Sequence, residues 1–318
     1  MFDATRHFCF GLAVLLLAVS AVTAETADIA TPARSHKSPV FLDRIQPWNS
    51  VFVVRAFRSG TSFAPQLALA VAAIVLAAWD SAARRRWDCP CVLLFGAATW
   101  TAVELTLHAA GMRVMPLRTL FGERLPLSAT VLLQGIAEGG AIAAIGLFLG
   151  DRLLDRTTRW MAALGLAALC ALVVLLAASS GDAGREVTSR RNLLAIPSIL
   201  FCGCLLALDV LFVVRWPTWR PRAAAMFSVL VVLGTVWTIR TFAAGGRWIE
   251  LEGTVPNVFE RAGRLGQVCG LGYDIVVEIA VAYVAFLALP AMCGWISPGI
   301  RGSQSPSGSN AGRGHWHL

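Results

Sequence analysis

The chain has 318 residues, of which 57% are hydrophobic and only 14% are charged, and its formal net charge is +8. A soluble domain of this size carries about a quarter charged residues, so the composition excludes an ordinary soluble protein and predicts a membrane protein. The arginines occur in short polar gaps between apolar runs, and no basic patch with interleaved aromatic residues is present. We therefore predict no nucleic-acid partner.

The first 24 residues have the features of a signal peptide or signal anchor. Arg6 and His7 precede an apolar core at residues 8–19, and Val22-Thr23-Ala24 supplies the small residues that signal peptidase reads. The core is shorter than the about twenty residues that a spanning helix needs, so cleavage is favoured over a retained anchor. Residues 25–62 are then predicted to form an extracytoplasmic segment.

Seven longer apolar runs follow, and each is long enough to cross about 30 Å of hydrocarbon as a helix. They are residues 63–79, 92–110, 127–150, 160–179, 193–214, 223–241 and 275–296. The sequence thus predicts an all-α polytopic transmembrane bundle of about seven spanning helices over residues 63–296, in the plasma membrane or an endomembrane. The Gly/Ser-rich residues 297–318 predict a disordered cytoplasmic tail.

The orientation of the bundle in the membrane is predicted from the signal segment, because the charges of the loops do not distinguish the two sides. Each of the five short gaps between runs holds three arginines, so the positive-inside comparison is a tie. A signal segment places the mature N-terminus outside and the tail inside.

Ionisable residues within the runs are the candidate site residues. Each costs roughly 2.5–3.5 kcal/mol inside hydrocarbon, so they are expected to face the interior of the bundle. Three pairs are spaced four apart and share a helix face, and an arginine near the end of the sixth run is the candidate counter-charge. The predicted lining of a polar cavity is Glu104, His108, Gln134, Glu138, Asp209, Arg240, Asp274 and Glu278. The alternative is that these groups only form interhelical hydrogen bonds.

Four glycines in the third run predict close helix packing. Gly135 and Gly139, and again Gly146 and Gly150, are spaced to lie on one face of the helix and to admit a neighbouring backbone.

Enzyme and cofactor signatures are weak in this sequence. No G-x-S-x-G, H-E-x-x-H or phosphate-loop motif is present, and scattered carboxylates with His108 do not make a zinc site. Lys37 is the only lysine, so no span carries a lysine for a retinal Schiff base. We predict no catalytic residues, no bound metal and no cofactor.

Short motifs at the ends of the runs resemble those of the fungal lipid-translocating exporter family, a group of seven-helix membrane proteins. They are Glu104 with Gly111-Met112-Arg113, Pro126 with Gln134 and Phe148-Leu149-Gly150-Asp151-Arg152, Ile239-Arg240-Thr241-Phe242, and Asp274 with Ser297-Pro298-Gly299. The chain departs from the family pattern in its leading signal segment and in the lack of polar residues in the fourth run. The resemblance implies handling of lipids or amphiphiles without a cofactor.

The sequence therefore favours a non-enzymatic protein that binds or translocates a lipid-like or amphiphilic molecule. Membrane lipids or amphiphilic small molecules are its expected partners, and the oligomeric state is left open. One alternative is a seven-helix receptor-like sensor with an outer N-terminus. Another is an intramembrane enzyme that uses Glu104, His108 and the other acids.

Overall fold

A computed structural model describes residues 51–58, 61–109, 118–178, 185–252 and 258–298. Over these residues the protein is mostly helical, and seven helices overlap the seven predicted apolar runs, although the seventh begins eleven residues earlier than predicted. They are α1 (Ala64–Arg84), α2 (Asp88–Ala109), α3 (Leu127–Leu154), α4 (Arg159–Ala178), α5 (Ile196–Arg215), α6 (Arg220–Ala243) and α7 (Arg264–Met292). The predicted signal segment, residues 25–50 and the tail from residue 299 lie outside the described residues.

The helices have the length and surface of membrane-crossing elements. Within the described ranges, five of them (α1, α2, α3, α6 and α7) are long and apolar enough to cross a membrane. Large apolar side chains are exposed along the bundle surface, where a water-soluble helix would carry polar residues. Examples are Val71, Ile74, Val75, Leu164, Leu172, Leu200, Phe201, Leu206, Val232 and Ile239.

Short strands gather at one end of the bundle, and the all-α prediction did not include them. They are β1 (Val51–Arg58), β2 (Thr61–Ser62), β3 (Arg118–Leu120), β4 (Glu123–Arg124), β5 (Arg185–Asn192), β6 (Arg247–Glu252) and β7 (Phe259–Arg261). One sheet has the order β5-β1-β6-β7 and a smaller one the order β2-β3-β4. We call this end of the bundle the strand end and the opposite end, with its short connections, the short-loop end.

The large sheet ties three distant parts of the chain together. β1 pairs antiparallel with β5, which precedes α5, and with β6, which follows α6; Phe52 lies opposite Asn192 and Val53 opposite Ile249. Val53, Leu193, Ile249 and Leu271 pack under this sheet in a small core of their own. The sheet therefore caps the strand end of the helices.

Two helices contain a segment of π-helix, in which the backbone hydrogen bond spans one more residue than in an α-helix. In α3 it is Gly135–Gly140, and in α7 it is Asp274–Val281. Such segments are rare and occur often at functional sites. Both include predicted site residues, namely Glu138 in α3 and Asp274 and Glu278 in α7.

The glycines of α3 face two different neighbours. A Cβ on Gly139 would lie 2.3 Å from Cβ of Trp100 in α2, whereas a Cβ on Gly150 would lie 2.9 Å from the backbone nitrogen of Met226 in α6. Gly135 faces α2 and Gly146 faces Leu230 of α6 in the same way. The sequence predicted one glycine face, but the four glycines lie on two faces of α3. The π-segment contains one extra residue, which rotates the helix after it by about 100° relative to the helix before it.

Candidate functional site

Asp274 is the centre of a buried ion cluster at the strand end. Its side chain is completely buried at the start of the π-segment of α7, where it pairs with Arg247 from β6. Nη2 of Arg55, from β1, lies 3.8 Å from Oδ1 of Asp274, and Nη2 of Arg191, from β5, lies 3.6 Å from the same oxygen. We call these four residues the Asp274 cluster. A buried carboxylate needs such partners to offset the loss of its hydration.

The strands position the three arginines of the Asp274 cluster. Arg55 and Arg247 are direct partners in the pairing of β1 with β6, so both guanidinium groups project from the same place in the sheet. Arg247 also donates from Nη1 to Oγ1 of Thr238 in α6, at 3.3 Å. The cluster therefore joins the sheet to α6 and α7.

A second polar group lies between α2, α3 and α7. Nε2 of Gln134 donates to a carboxylate oxygen of Glu138 at 3.2 Å, and the hydroxyl of Tyr283 donates to the backbone carbonyl of Glu138 at 2.5 Å. The Trp100 ring stacks on the Tyr283 ring, with centroids 5.7 Å apart. Glu104 is completely buried in α2. We call Glu104, Gln134, Glu138 and Tyr283 the Glu138 group.

Electrostatics connect the Glu138 group to the Asp274 cluster. The charges of Glu138, Arg55 and Glu104 all act on the hydroxyl of Tyr283. Arg118 of β3 is also buried nearby; burial lowers the pKa of this guanidinium, and the charge of Glu138 acts in the opposite direction. We call the Asp274 cluster, the Glu138 group and Arg118 together the polar layer.

The other predicted site residues are not all part of this layer. Asp209 is 8% exposed on α5, six residues before Arg215 ends that helix, and thus about 9 Å from the short-loop end. Within the described ranges its Oδ1 has no hydrogen-bond partner. His108 is partly buried one turn beyond Glu104 in α2. The Glu278 backbone belongs to the π-segment of α7, but its side chain lies outside what the structure describes.

Asp274 pairs with Arg247, whereas the candidate counter-charge predicted from the sequence was Arg240, with no partner named. Arg240 forms no ion pair within the described part of the chain, and its Nε is buried near the end of α6. The chain turns sharply after α6, where Gly245 adopts a left-handed conformation (φ 66°), and β6 then carries Arg247 back to Asp274. Sequence position alone favoured Arg240 because it lies inside the apolar run.

Sequence reasoning also missed the ion network at the short-loop end. Arg222 of α6 is 2% exposed and donates to both carboxylate oxygens of Asp151 in α3, at 2.7 and 2.8 Å. It also pairs with Asp88 of α2 at 2.8 Å and donates to the carbonyl of Ser297 at 2.6 Å. One guanidinium thus joins α2, α3, α6 and the residues after α7.

The same network extends to α1. Arg84 pairs with Asp80 at 3.2 Å and with Asp151 at 3.3 Å, and Arg152 pairs with Asp80 at 2.9 Å. The guanidinium of Arg152 also lies 3.5 Å from the centroid of the Phe148 ring. Asp80, Asp88 and Asp151 each have a cation within 3.3 Å, so the network joins α1, α2, α3 and α6.

Among the described residues, no group of three or more histidine, cysteine, aspartate or glutamate side chains is placed to hold a metal ion. Comparisons with protein-family models, with curated proteins and with solved structures gave no match to this chain.

Proposed function

We propose that the chain is a multi-pass membrane protein with seven spanning helices that binds a lipid-like or amphiphilic molecule and moves it across the membrane. The observation that carries the proposal is the buried polar layer, formed by the Asp274 cluster and the Glu138 group, inside helices with apolar outer surfaces. Charged groups inside hydrocarbon are costly, and in membrane proteins they usually mark a substrate or ion path.

The arrangement suits an amphiphile because it offers both an apolar surface and a charged one. The apolar faces of the helices solvate a hydrocarbon chain, while the guanidinium groups of Arg55, Arg191 and Arg247 suit a polar or anionic head. The π-segments support the same proposal, since they place Glu138 and Asp274 on the two helices that line the layer.

The resemblance to the fungal lipid-translocating exporters agrees with this proposal. Three residues of the resembling motifs, Glu104, Gln134 and Asp274, belong to the polar layer or border it. With a signal segment at the N-terminus, the strand end faces the outside and the short-loop end the cytoplasm. The polar layer then lies in the outer half of the bilayer.

The proposal is tested with purified protein in vesicles that contain a fluorescent amphiphile, by following its movement between leaflets. Glu138→Gln and Glu278→Gln keep much of the hydrogen-bonding capacity but remove the titratable group. We expect both variants to fold, because a neutral amide is cheaper to bury than an unpaired carboxylate, and to lose most of the movement. Glu123→Gln, on the exposed strand β4, is the matched control and should behave as the unmodified chain.

Melting temperature must be measured beside movement for each variant. If Glu138→Gln and Glu278→Gln melt much lower than the unmodified chain, the acids serve stability and not a ligand. If both variants move the amphiphile at the normal rate, the proposal fails. Binding without any movement in the unmodified chain would favour the receptor-like alternative.

A further inference from the structure

The short-loop end carries an excess of exposed positive charge. Its buried carboxylates, Asp80, Asp88 and Asp151, are paired with arginines of the ion network described above. Among the described residues of this end the one other acid is Asp155, whose Oδ1 accepts hydrogen bonds from the amide and the hydroxyl of Thr157. The exposed arginines are Arg85, Arg156, Arg159, Arg215 and Arg220. Five exposed cations therefore face a single partly exposed carboxylate.

Exposed tryptophans lie at the same end of the bundle. They are Trp79, Trp87, Trp160 and Trp295. Indole rings concentrate at the level of lipid headgroups, because the ring is apolar and its N–H group is polar. If the helices cross a membrane as proposed, the exposed arginines of the short-loop end therefore lie at the level of the headgroups.

Two of the exposed arginines are held by the end of the helix that precedes them. Nε of Arg159, the first residue of α4, donates to the backbone carbonyl of Leu153 in the last turn of α3 at 2.9 Å. Nε of Arg220, the first residue of α6, donates to the carbonyl of Val213 in the last turn of α5, also at 2.9 Å. Within the described part of the chain neither guanidinium forms an ion pair, and Nη1 and Nη2 of both bond to no protein atom. The same arrangement thus occurs in two separate connections.

We infer that Arg159 and Arg220 are two binding sites for the phosphate groups of anionic phospholipids. Nη1 and Nη2 of a guanidinium form a planar fork of donors that matches two oxygens of one phosphate. Because Nε is already bound to the protein, the direction of this fork is fixed, and less conformational freedom is lost on binding. The inference rests on the part of the proposed function that places the helices across a membrane. It holds whether or not the polar layer moves a ligand.

The excess of positive charge selects anionic over zwitterionic lipids. A zwitterionic headgroup carries its own cation beside the phosphate and gains little from a positive surface, whereas an anionic headgroup is attracted by every arginine near it. The orientation predicted from the signal segment places the short-loop end at the cytoplasmic leaflet, which is the leaflet that carries anionic lipids.

The test is native mass spectrometry of the full chain in detergent, titrated with phosphatidylglycerol or with phosphatidylcholine that has the same acyl chains. The titration gives a Kd for each lipid bound. We expect two phosphatidylglycerol molecules to bind more tightly than phosphatidylcholine. The double variant Arg159→Gln/Arg220→Gln should raise the Kd for both phosphatidylglycerol molecules by about fivefold, and either single variant should affect only one of the two.

The matched control is the double variant Arg156→Gln/Arg215→Gln. It removes the same charge from exposed positions in the same two connections, but within the described ranges neither guanidinium donates to a helix carbonyl. It should raise the Kd by less than about twofold.

A second pair of substitutions separates the fork from its charge. Arg159→Lys/Arg220→Lys keeps both charges but replaces each fork with an ammonium group, so it should bind phosphatidylglycerol more weakly than the unmodified chain. Melting temperature is recorded for every variant, because the substitutions at these positions also remove a hydrogen bond to a helix end. If the double glutamine variant melts much lower, the single variants decide, since each should lose one site and keep the other.

Three outcomes overturn the inference. One is that the two double glutamine variants weaken phosphatidylglycerol equally, which would assign the binding to diffuse surface charge. The second is that the double lysine variant binds as tightly as the unmodified chain, which would show that the fork is not needed. The third is that inorganic phosphate displaces the lipid as effectively as phosphatidylglycerol does, which would make free phosphate and not a lipid the ligand. None of these measurements involves transport, so failure of the proposed function would be seen separately.

Discussion

The close contact between α2 and α3 gives a quantitative test of the fold. Gly139→Ala adds one methyl group, whose carbon would lie 2.3 Å from Cβ of Trp100 and 2.5 Å from the carbonyl oxygen of Gly96. Carbon atoms in contact prefer about 3.5–4.0 Å, so the two helices must separate by more than about 1 Å. Neither neighbouring atom is the end of a flexible side chain, and neither can rotate away.

Separation of the helices has a cost that extends beyond one residue. A Cβ on Gly140 would lie 2.6 Å from the carbonyl oxygen of Leu93, so the backbones of α2 and α3 stay in contact along the π-segment. Separation of the two helices at Gly139 therefore weakens this contact as well. Overpacking a well-packed core costs typically 1–3 kcal/mol, and we expect about 3 kcal/mol for Gly139→Ala because the clash is with fixed atoms. Gly139→Leu should be worse and should reduce the yield of folded protein.

The assay is thermal unfolding in a mild detergent, with Gly203→Ala as the matched control. A Cβ on Gly203 would meet nothing within 4 Å, and Gly203 lies on an exposed part of α5. Gly203→Ala should therefore leave the melting temperature unchanged or raise it slightly. If Gly139→Ala has the same melting temperature as Gly203→Ala, the close approach of α2 and α3 is refuted.

Three further predictions concern charge and backbone. Asp274→Asn leaves buried guanidinium groups without their carboxylate and should destabilise the protein by about 3–5 kcal/mol, whereas Glu250→Gln at the partly exposed pair with Arg190 should cost much less in the same melting assay. Asp209→Leu removes a buried carboxylate and should raise the melting temperature; a fall would reveal a partner or a role for Asp209. Gly245→Ala forces a side chain into a left-handed conformation (φ 66°) and should cost about 1–2 kcal/mol, and an unchanged melting temperature would contradict the turn after α6.

The helices could be predicted from the sequence because each depends on a local property, the length of an apolar run. The strands depend instead on pairing between segments far apart in the chain. Val53, for example, pairs with Arg191 on one side and Ile249 on the other. β1 has a β-branched sequence that could have indicated a strand, but β5 is polar and gives no such signal. Nothing local indicates that these segments meet.

Part of the polar layer could also be predicted, since a buried acid in an apolar run is visible in the sequence. Glu104 and Asp274 were singled out in this way, and both are completely buried. Their cationic partners were missed because they lie in β1, β5 and β6, and in the sequence they resemble ordinary arginines at helix ends. The orientation of the four glycines was missed for a different reason, because a 3.6-residue period cannot reveal a π-segment.

The two ion clusters differ in how tightly their charges are paired. At the short-loop end, Arg222 is held by Asp151, Asp88 and the carbonyl of Ser297 at 2.6–2.8 Å. At the strand end, Nη2 of Arg55 lies 3.8 Å and Nη2 of Arg191 lies 3.6 Å from Oδ1 of Asp274, so these contacts are longer. If the proposed movement across the membrane takes place, a molecule that enters at the strand end must pass the Arg222 network before it leaves at the other side.

Arg222→Met tests whether that network is a barrier. The substitution strands Asp88 and Asp151 as buried carboxylates, although Asp151 keeps Arg84, and should lower stability by about 3–5 kcal/mol. Arg220→Met, an exposed position two residues earlier, should cost less than about 0.5 kcal/mol. If the network closes the path, Arg222→Met protein that remains folded at low temperature should move the amphiphile faster than the unmodified chain, or let it leak. Movement at the normal rate in protein that has lost the expected stability would show that the network only fastens the helices.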